Sequence, residues 1–298
     1  MFACTIISQN KINNMRQILL LITSLFITAC SMDQTLVRAS MPMIDGGVEA
    51  LNRETDLDLA EDSIPANLNM LQGMITIDPE NAELHTYAAQ AYYGLAYGFN
   101  EDSRPERASA FYQRGLKHGI KALEINGASN LVDSKIADFT KEVNKMRKND
   151  VAAMFWTASC WAKWIDMHRD DPAAIAELPR ATALMQRVIE LEDTFYYGGA
   201  HMYFGVYYGS RAPTLGGNFN KSREHFDRAR QITDGKLLIP DLLQAEYLAR
   251  QQNNREDFHN LLTGIINAPD DLMPELGLQN QIAKRKAMLL LKKEEEWF

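Results

Sequence analysis

Five segments of the chain repeat one spacing, and that spacing constrains the fold more than any single motif. Asn67, Leu71, Met74 and Pro79 sit at x, x+4, x+7 and x+12. The same offsets give Gly115, Gly119, Ala122 and Gly127, then Ala181, Met185, Val188 and Asp193, then Ser222, Phe226, Ala229 and Asp234, and finally Asp257, Leu261, Gly264 and Pro269. Positions x, x+4 and x+7 share one helix face, and the breaker at x+12 ends that helix so that the chain can reverse. The small residues let helices approach closely. Elsewhere helix-period segments of about 12 to 20 residues alternate with short Gly, Pro, Asn and Asp breaks. No stretch shows sustained period-two alternation. The fold class is all-α.

These offsets resemble the second helix of a tetratricopeptide repeat, where small, aromatic, small and proline positions recur. The opposing first helix follows each breaker: Ala88-Ala89 with Tyr92 after Pro79, and Leu243 with Tyr247 after Asp234, match that family's small and tyrosine positions. A regular array repeats about every 34 residues, whereas the breakers here fall unevenly at 79, 127, 193, 234 and 269. The longest gaps hold an extra helix, Leu131 to Met146, and a basic turn around Lys145 to Lys148. The expectation is an irregular tetratricopeptide-like hairpin array, closed into a compact bundle rather than spread as an open superhelix. It occupies residues 63–298.

The formal net charge is -8, and no run of lysine and arginine interleaves with aromatics, so a nucleic-acid footprint is missing. Hydrophobic residues make up 46% and charged residues 23%, which suits a packed core and not a disordered chain. Three cysteines, Cys4, Cys30 and Cys160, match neither a disulfide framework nor a zinc pattern. The one long apolar run, Ile18 to Cys30, follows Lys11 and Arg16 and is short for a bilayer span, so it reads as a secretion signal. It closes on Ile27-Thr28-Ala29-Cys30-Ser31, which resembles the bacterial lipobox. That resemblance implies a signal peptide over residues 1–29, cleavage before Cys30, and acylation of Cys30 by diacylglycerol and a third chain such as palmitate. Met1 and Met15 both stand as start codons, Cys4 leaves with the signal, and Cys160 reads as a small core residue. Serine rather than aspartate after the cysteine favours the outer membrane over the inner, facing the periplasm. Residues 30–62 read as a tether and capping segment with a modest apolar patch at Leu36 to Ile44.

No metalloprotease, serine-hydrolase, phosphate-loop or dinucleotide motif occurs, and the carboxylates fall in turns and on polar faces. No catalytic residue, metal ligand or cofactor is assigned, and the chain reads as a binding protein rather than an enzyme. The densest feature runs from Phe195 to Asn218: Tyr196-Tyr197-Gly198-Gly199, His201, an aromatic helix through Tyr208, Arg211-Ala212-Pro213, and Leu215-Gly216-Gly217. This stretch, with Lys221 to Ile232 as the next helix, is similar to the signature of the TRAP transporter T-component family, TatT. Ile77-Asp78-Pro79-Glu80-Asn81 and the aromatics Tyr92, Tyr93 and Tyr97 fit as well. The resemblance spans roughly residues 50 to 290, and the tail Lys292 to Phe298 has no counterpart in it.

Tyr203, Tyr207 and Tyr208 set large amphipathic rings on one short helix, beside glycines that leave room. Two readings stand: the rings line a cavity, or they fill the gap between hairpins. The same pair applies to Trp156, Trp161 and Trp164. His201 is read as a ligand-contacting residue against the commoner role of a hydrogen-bonded structural histidine. Arg211 is read either as a fork for a carboxylate or as a cap on the carbonyls ending its own helix. The Leu215-Gly216-Gly217 loop solves a backbone problem. The candidate ligand-binding set is therefore His201, Tyr203, Tyr207, Tyr208 and Arg211.

The family resemblance implies a homotrimeric lipoprotein that docks the periplasmic solute-binding protein of a TRAP transporter and passes it a small apolar or organic-acid ligand. The competing reading is a scaffold lipoprotein that assists envelope or outer-membrane assembly. An envelope hydrolase is a distant third, because no nucleophile has a base at recognisable spacing.

Overall fold

The computed structural model describes residues 32–298, and these residues fold into helices without a strand among them. The signal peptide, Cys4, Cys30 and Ser31 lie outside the described residues. The helices are α1 (residues 32–39), α2 (Met41–Asn52), α3 (Leu57–Ile77), α4 (Ala82–Leu95), α5 (Pro105–Ile125), α6 (Ile136–Lys145), α7 (Val151–Asp166) and α8 (Pro172–Ala176). They continue with α9 (Leu178–Glu192), α10 (Phe195–Gly209), α11 (Phe219–Ile232), α12 (Ile239–Leu243), α13 (Arg255–Asn267), α14 (Gly277–Leu291) and α15 (Glu294–Trp297). Two π-helical segments prolong α4 and α12, Ala96–Asn100 and Gln244–Ala249.

Local chemistry sets the boundaries. Asp56 accepts hydrogen bonds from the first backbone amides of α3, and Asn81, Asp171, Asn218 and Asn254 do the same for α4, α8, α11 and α13. Every breaker of the five-fold spacing lies just past the end of its helix. Gly127 has φ 104°, and Asp234 with Gly235 turns the chain at φ 51° and 69°. In the three central repeats the x, x+4 and x+7 residues are buried, from Gly115, Gly119 and Ala122 to Ser222, Phe226 and Ala229. At the ends the register rotates. Helix α3 buries Ile64, Leu68 and Leu71 while Asn67 is exposed, and α13 buries Phe258, Leu262 and Ile265, one residue beyond the expected face. A helix at the end of an array has fewer neighbours, so its own largest apolar residues choose the face it buries.

The expected extra helix is present but shorter, with Leu131 and Met146 as buried flanks on either side of α6. The stretch read as tether and cap is packed helix from residue 32 on: Val37, Met41 and Ile44 bury against Leu71 and Leu84, and Arg38 clips α1 to Asp78 at 2.8 Å. Residue 62 lies inside α3. The C-terminal tail is docked rather than loose. Trp297 and Phe298 pack on Phe258, and Glu294 accepts from Arg255 at 2.8 Å and from His259 at 2.9 Å.

Neighbouring helices pack in sequence, α3 on α4, α4 on α5, α5 on α7, α7 on α9, α9 on α10 and α10 on α11. The array then closes, because α14 returns to α2 and α3. Gln279 of α14 donates to Asn52 at 2.9 Å, Arg285 donates to the carbonyl of Gly98, and Lys286 reaches Asp102 at 2.8 Å. Joining the two ends of a helical array around a ring leaves a lumen, partly open to solvent, between the helices, and that lumen is where the site lies.

Candidate functional site

The lumen is a chamber of about 430 Å³, within the range of small-molecule sites. Its wall is mainly apolar: Leu51 and Met70 from α2 and α3, Phe155 and Trp156 from α7, Met202 and Val206 from α10, Ile282 from α14. Tyrosines from three directions complete it, Tyr93 and Tyr97 after the first repeat, Tyr196, Tyr197, Tyr203 and Tyr207 from α10, and Tyr247 from the second π segment. A second, more open cavity of about 880 Å³ lies beside the first, and Trp156 and Tyr196 line both. Glu83, Glu142, Lys145, Arg147 and Asp150 make that one a mixed-charge hollow, so the smaller chamber is the better receptacle for an apolar molecule.

Helix α10 begins in a conformation that its sequence does not favour. Tyr196, Tyr197 and Gly198 are all left-handed, at φ 44°, 57° and 79°. Glycine adopts that region freely, but each tyrosine there costs roughly 1–2 kcal/mol. Packing supplies the compensation: the Tyr196 ring lies 4.7 Å from Trp156 and 5.4 Å from Phe155, centroid to centroid. The turn thereby aims two aromatic side chains into the lumen ahead of a helix that carries two more. At the other end of α10 the Arg211 guanidinium lies 3.9 Å above the Tyr207 ring and donates from Nε and Nη2 to the Tyr207 carbonyl at 3.1 and 2.7 Å. Arg211 thus caps its own helix and also borders the chamber. In the following loop Gly216 has φ 85°, and a Cβ on Gly217 would run into the Arg211 carbonyl, so both glycines are required by the backbone.

Of the five candidate ligand residues, Tyr203, Tyr207 and Arg211 border the chamber. The Tyr203 hydroxyl is tied to Thr182 Oγ1 at 2.8 Å, and its ring stacks on Tyr207 at 6.0 Å. His201 and Tyr208 point elsewhere. His201 Nδ1 meets His225 Nδ1 of α11 at 2.9 Å, its Nε2 lies 3.7 Å from Asp193, and Tyr208 stacks on His225 at 5.8 Å. Of the tryptophans, Trp156 reaches the chamber, while Trp161 packs edge-on against Phe139 in the core. Cys160 is a buried core thiol, pushed well up by burial.

Sequence reasoning missed the charged part of the wall. Lys163 pairs with Glu101 and lies 3.6 Å from Asp166, whose other contacts are Arg169 and the Tyr247 hydroxyl at 2.8 Å. Burial works against the Lys163 ammonium, but the Glu101 and Asp166 carboxylates hold it well above the ordinary lysine value. Burial likewise opposes the Asp166 charge, and Lys163 and Arg169 pull that carboxyl below its usual range. One signal was available: Lys163 is the one charged residue in the buried run from Phe155 to Ile165. Lys163 and Arg169 are satisfied by carboxylates, whereas no carboxylate pairs with Arg211 among the described residues.

No curated protein matches the chain. The family model described as TRAP transporter T-component matches residues 53–298, and so carries through the tail to the last residue. That family is an accessory transporter component, not an enzyme family. An all-helical ring around an apolar chamber, with the aromatic helix and its Arg-x-Pro turn on the wall, thus goes with a family assignment over most of its length: the chain belongs to the TRAP transporter T-component family.

Proposed function

We propose that this T-component is a ligand-carrying lipoprotein: it holds a small apolar or organic-acid solute in the chamber and exchanges it with the solute-binding protein of its transporter. The observation that carries the reading is the chamber itself, an apolar lumen bordered by one guanidinium, Arg211, that has no carboxylate partner among the described residues. An amphiphilic acid fits that chemistry. Its carboxylate takes the free edge of Arg211 in a charge-assisted hydrogen bond, and its body lies against Tyr203, Tyr207 and the apolar wall. His201 and Tyr208 support this helix from behind rather than touching the solute. In the same reading Cys30 bears the lipid, the protein hangs from the outer membrane facing the periplasm, and three copies assemble.

The test is sedimentation of the chain from Ser31 onward, alone and with the solute-binding protein encoded beside it. A trimer that gains mass with that partner supports the transport reading; a monomer indifferent to it favours the scaffold reading. Retention of a bound acid is then compared in Tyr203→Ala and Arg211→Ala. Unchanged retention in both removes α10 from the site.

A further inference from the structure

The apolar patch that the sequence shows at Leu36 to Ile44 is only half used by the fold. Val37, Met41 and Ile44 are buried, but Leu36 is 71% and Met43 79% exposed, as is Met32 at 72%. Helix α1 runs on into α2 with little break: Ser40 stays helical at φ -89° and ψ -3°, and its amide donates to the Leu36 carbonyl at 3.1 Å. On that spacing Met32, Leu36, Ala39, Met43, Gly46 and Ala50 fall on one face, and all six are exposed. The charged residues of the two helices, Asp33, Arg38, Asp45 and Glu49, stand about 100° or more from Met32 around the axis. Helix α3 carries a second exposed stripe, Leu59, Ala66, Met70, Gly73 and Ile77, with Asp62 as the charge among them. Met43 and Met70, one from each stripe, also line the chamber together with exposed Gly47 and Asn67, so the stripes meet at an opening of it.

Single exposed apolar side chains are ordinary on a protein surface, whereas a concentration of them marks a contact. Of the twelve large apolar side chains exposed among the described residues, six lie on α1, α2 and α3. What covers them follows from where the chain leads. Cys30 stands two residues before Met32, so a lipid on it is attached within about 7 Å of the first exposed methionine, the reach of two residues of extended chain. Ser31 alone separates the anchor from the folded ring. So short a connection holds this end of the protein against the leaflet, where an apolar stripe is buried in lipid instead of facing water. No described helix is long and apolar enough to cross a membrane, so the contact is with the surface of the bilayer.

We propose that α1, α2 and α3 form a lipid-seating face: Met32, Leu36 and Met43, with Met70 and Ile77, enter the boundary between headgroups and acyl chains of the leaflet that holds the Cys30 lipid. The protein then sits on the bilayer rather than swinging from it, and the chamber opening at Met43 and Met70 faces lipid. The inference rests on the reading of Cys30 as the acylated residue.

The experiment places single cysteines in the full acylated chain. Cys4 leaves with the signal, Cys30 is blocked by its lipid and Cys160 is buried, so Leu36→Cys, Met43→Cys and Met70→Cys each offer one reactive thiol. Leu215→Cys, at a side chain 72% exposed in the loop after α10, is the control. Each thiol is coupled to bimane, and the protein is reconstituted in phosphatidylethanolamine and phosphatidylglycerol vesicles, part of whose lipid carries a nitroxide high on its acyl chain. Bimane at positions 36, 43 and 70 loses roughly half its emission or more, as befits side chains about 5–10 Å into the interface, while the label at position 215 keeps its emission. Leu36→Glu added to Met43→Cys lessens the loss, because a carboxylate resists entry into lipid. Unquenched bimane at positions 43 and 70 overturns the seat, and quenching at position 36 alone does so too, since nearness to the anchor explains it. A blue-shifted but unquenched label also overturns it and puts a second copy of this chain on the face. If mass spectrometry finds no lipid on Cys30, the anchor reading falls and the seat with it; if Cys30 is acylated and the labels are unquenched, the seat alone falls.

Discussion

In the hairpin α4–α5, His85 Nδ1 meets His118 Nδ1 at 2.9 Å, and Tyr92 stacks on the His118 ring at 5.7 Å. In the hairpin α10–α11, His201 and His225 meet through the same atoms at the same distance, and Tyr208 stacks on His225 at 5.8 Å. The sequences match in step: His85, Tyr87, Ala89 and Tyr92 correspond to His201, Tyr203, Gly205 and Tyr208, and Gly115 with His118 corresponds to Ser222 with His225. The hairpins differ at their beginnings and ends. Helix α4 opens on an ordinary asparagine cap and runs on into a π segment that presents Tyr97; α10 opens on two left-handed tyrosines and finishes on Arg211. One repeat pattern therefore serves twice as scaffold, placing the equivalent Tyr87 and Tyr203 on the chamber wall, and further wall residues are added where the repeat stops.

The largest effect expected on this pair comes from α7, which stands between the two hairpins. Lys163 joins Glu101, in the turn of the first hairpin, to Asp166 at the end of α7 and to Tyr247 of the second π segment, so a buried charge network ties the first hairpin through α7 to the segment that follows the second. Lys163→Met leaves Glu101 with Lys286 and Asp166 with Arg169 as their remaining cations, and lowers unfolding free energy by up to about 3 kcal/mol in a urea titration, the low end of what breaking a buried pair costs. Pairing it with Glu101→Gln returns part of that loss. If the single variant unfolds in two separate steps, the hairpins are independent units and the comparison concerns two domains rather than two repeats.

Acid tests both histidine pairs at once. In each pair one Nδ1 donates and the other accepts, which requires at least one neutral ring. Burial lowers all four histidines, and the charge of each partner adds to this for His118 and His225, which fall to about 4 from 6.5. The unfolded chain therefore binds more protons between those values. Stability is full above about pH 6.5 and falls as pH drops towards 4, by up to about 1.4 kcal/mol per pH unit for each site that titrates. His225→Phe keeps the stack under Tyr208 and removes one titrating histidine of the pair, so its pH–stability curve is shallower than that of the wild type over this window. An unchanged slope would assign the acid sensitivity to the α4–α5 pair.

The hairpins also differ at the small residue between their helices. A Cβ on Gly205 would stand 2.6 Å from a carbon of the Phe226 ring, which is fully buried and cannot withdraw. Gly205→Val costs about 1–3 kcal/mol through overpacking. Ala89 occupies the corresponding place opposite Gly115 and already carries a methyl group, so Ala89→Gly costs less, about 1 kcal/mol. Thermal melts of the two variants read the difference directly.

The shared scaffold was legible because it depends on helix faces and breakers. The x, x+4, x+7 spacing marks the buried stripe of α5, α9 and α11, and each breaker sits just beyond the end of a helix. The aromatic stretch was legible as a signature, but which rings face the lumen was not. Tyr207 and Tyr208 are adjacent in sequence, about 100° apart around the helix, and only the position of α11 sends the second to His225 and leaves the first in the chamber. Lys163, Tyr97 and Gln279 were illegible for a different reason: each is one polar residue on its own element, and they line one chamber because α7 packs on α4 and α14 closes the ring.

The finest test reverses sign between the two hairpins. Tyr93 and Tyr197 both line the chamber, but Tyr93 lies inside α4 and Tyr197 has φ 57°. Truncating the two rings loses different contacts, three ring neighbours for Tyr93 and one for Tyr197, so the informative comparison is glycine against alanine at each position, which cancels most of the lost packing. Within a helix glycine is less favourable than alanine by about 1 kcal/mol, so Tyr93→Ala is the more stable of its pair. In the left-handed region alanine keeps the Cβ clash that glycine lacks, so Tyr197→Gly is more stable than Tyr197→Ala by roughly 1–2 kcal/mol. Urea midpoints of the four variants decide it. If alanine is preferred at both positions, the turn into α10 relaxes to an ordinary helix start once the ring is gone. The left-handed geometry is then imposed by the aromatic packing on Phe155 and Trp156 and not by the chain reversal itself.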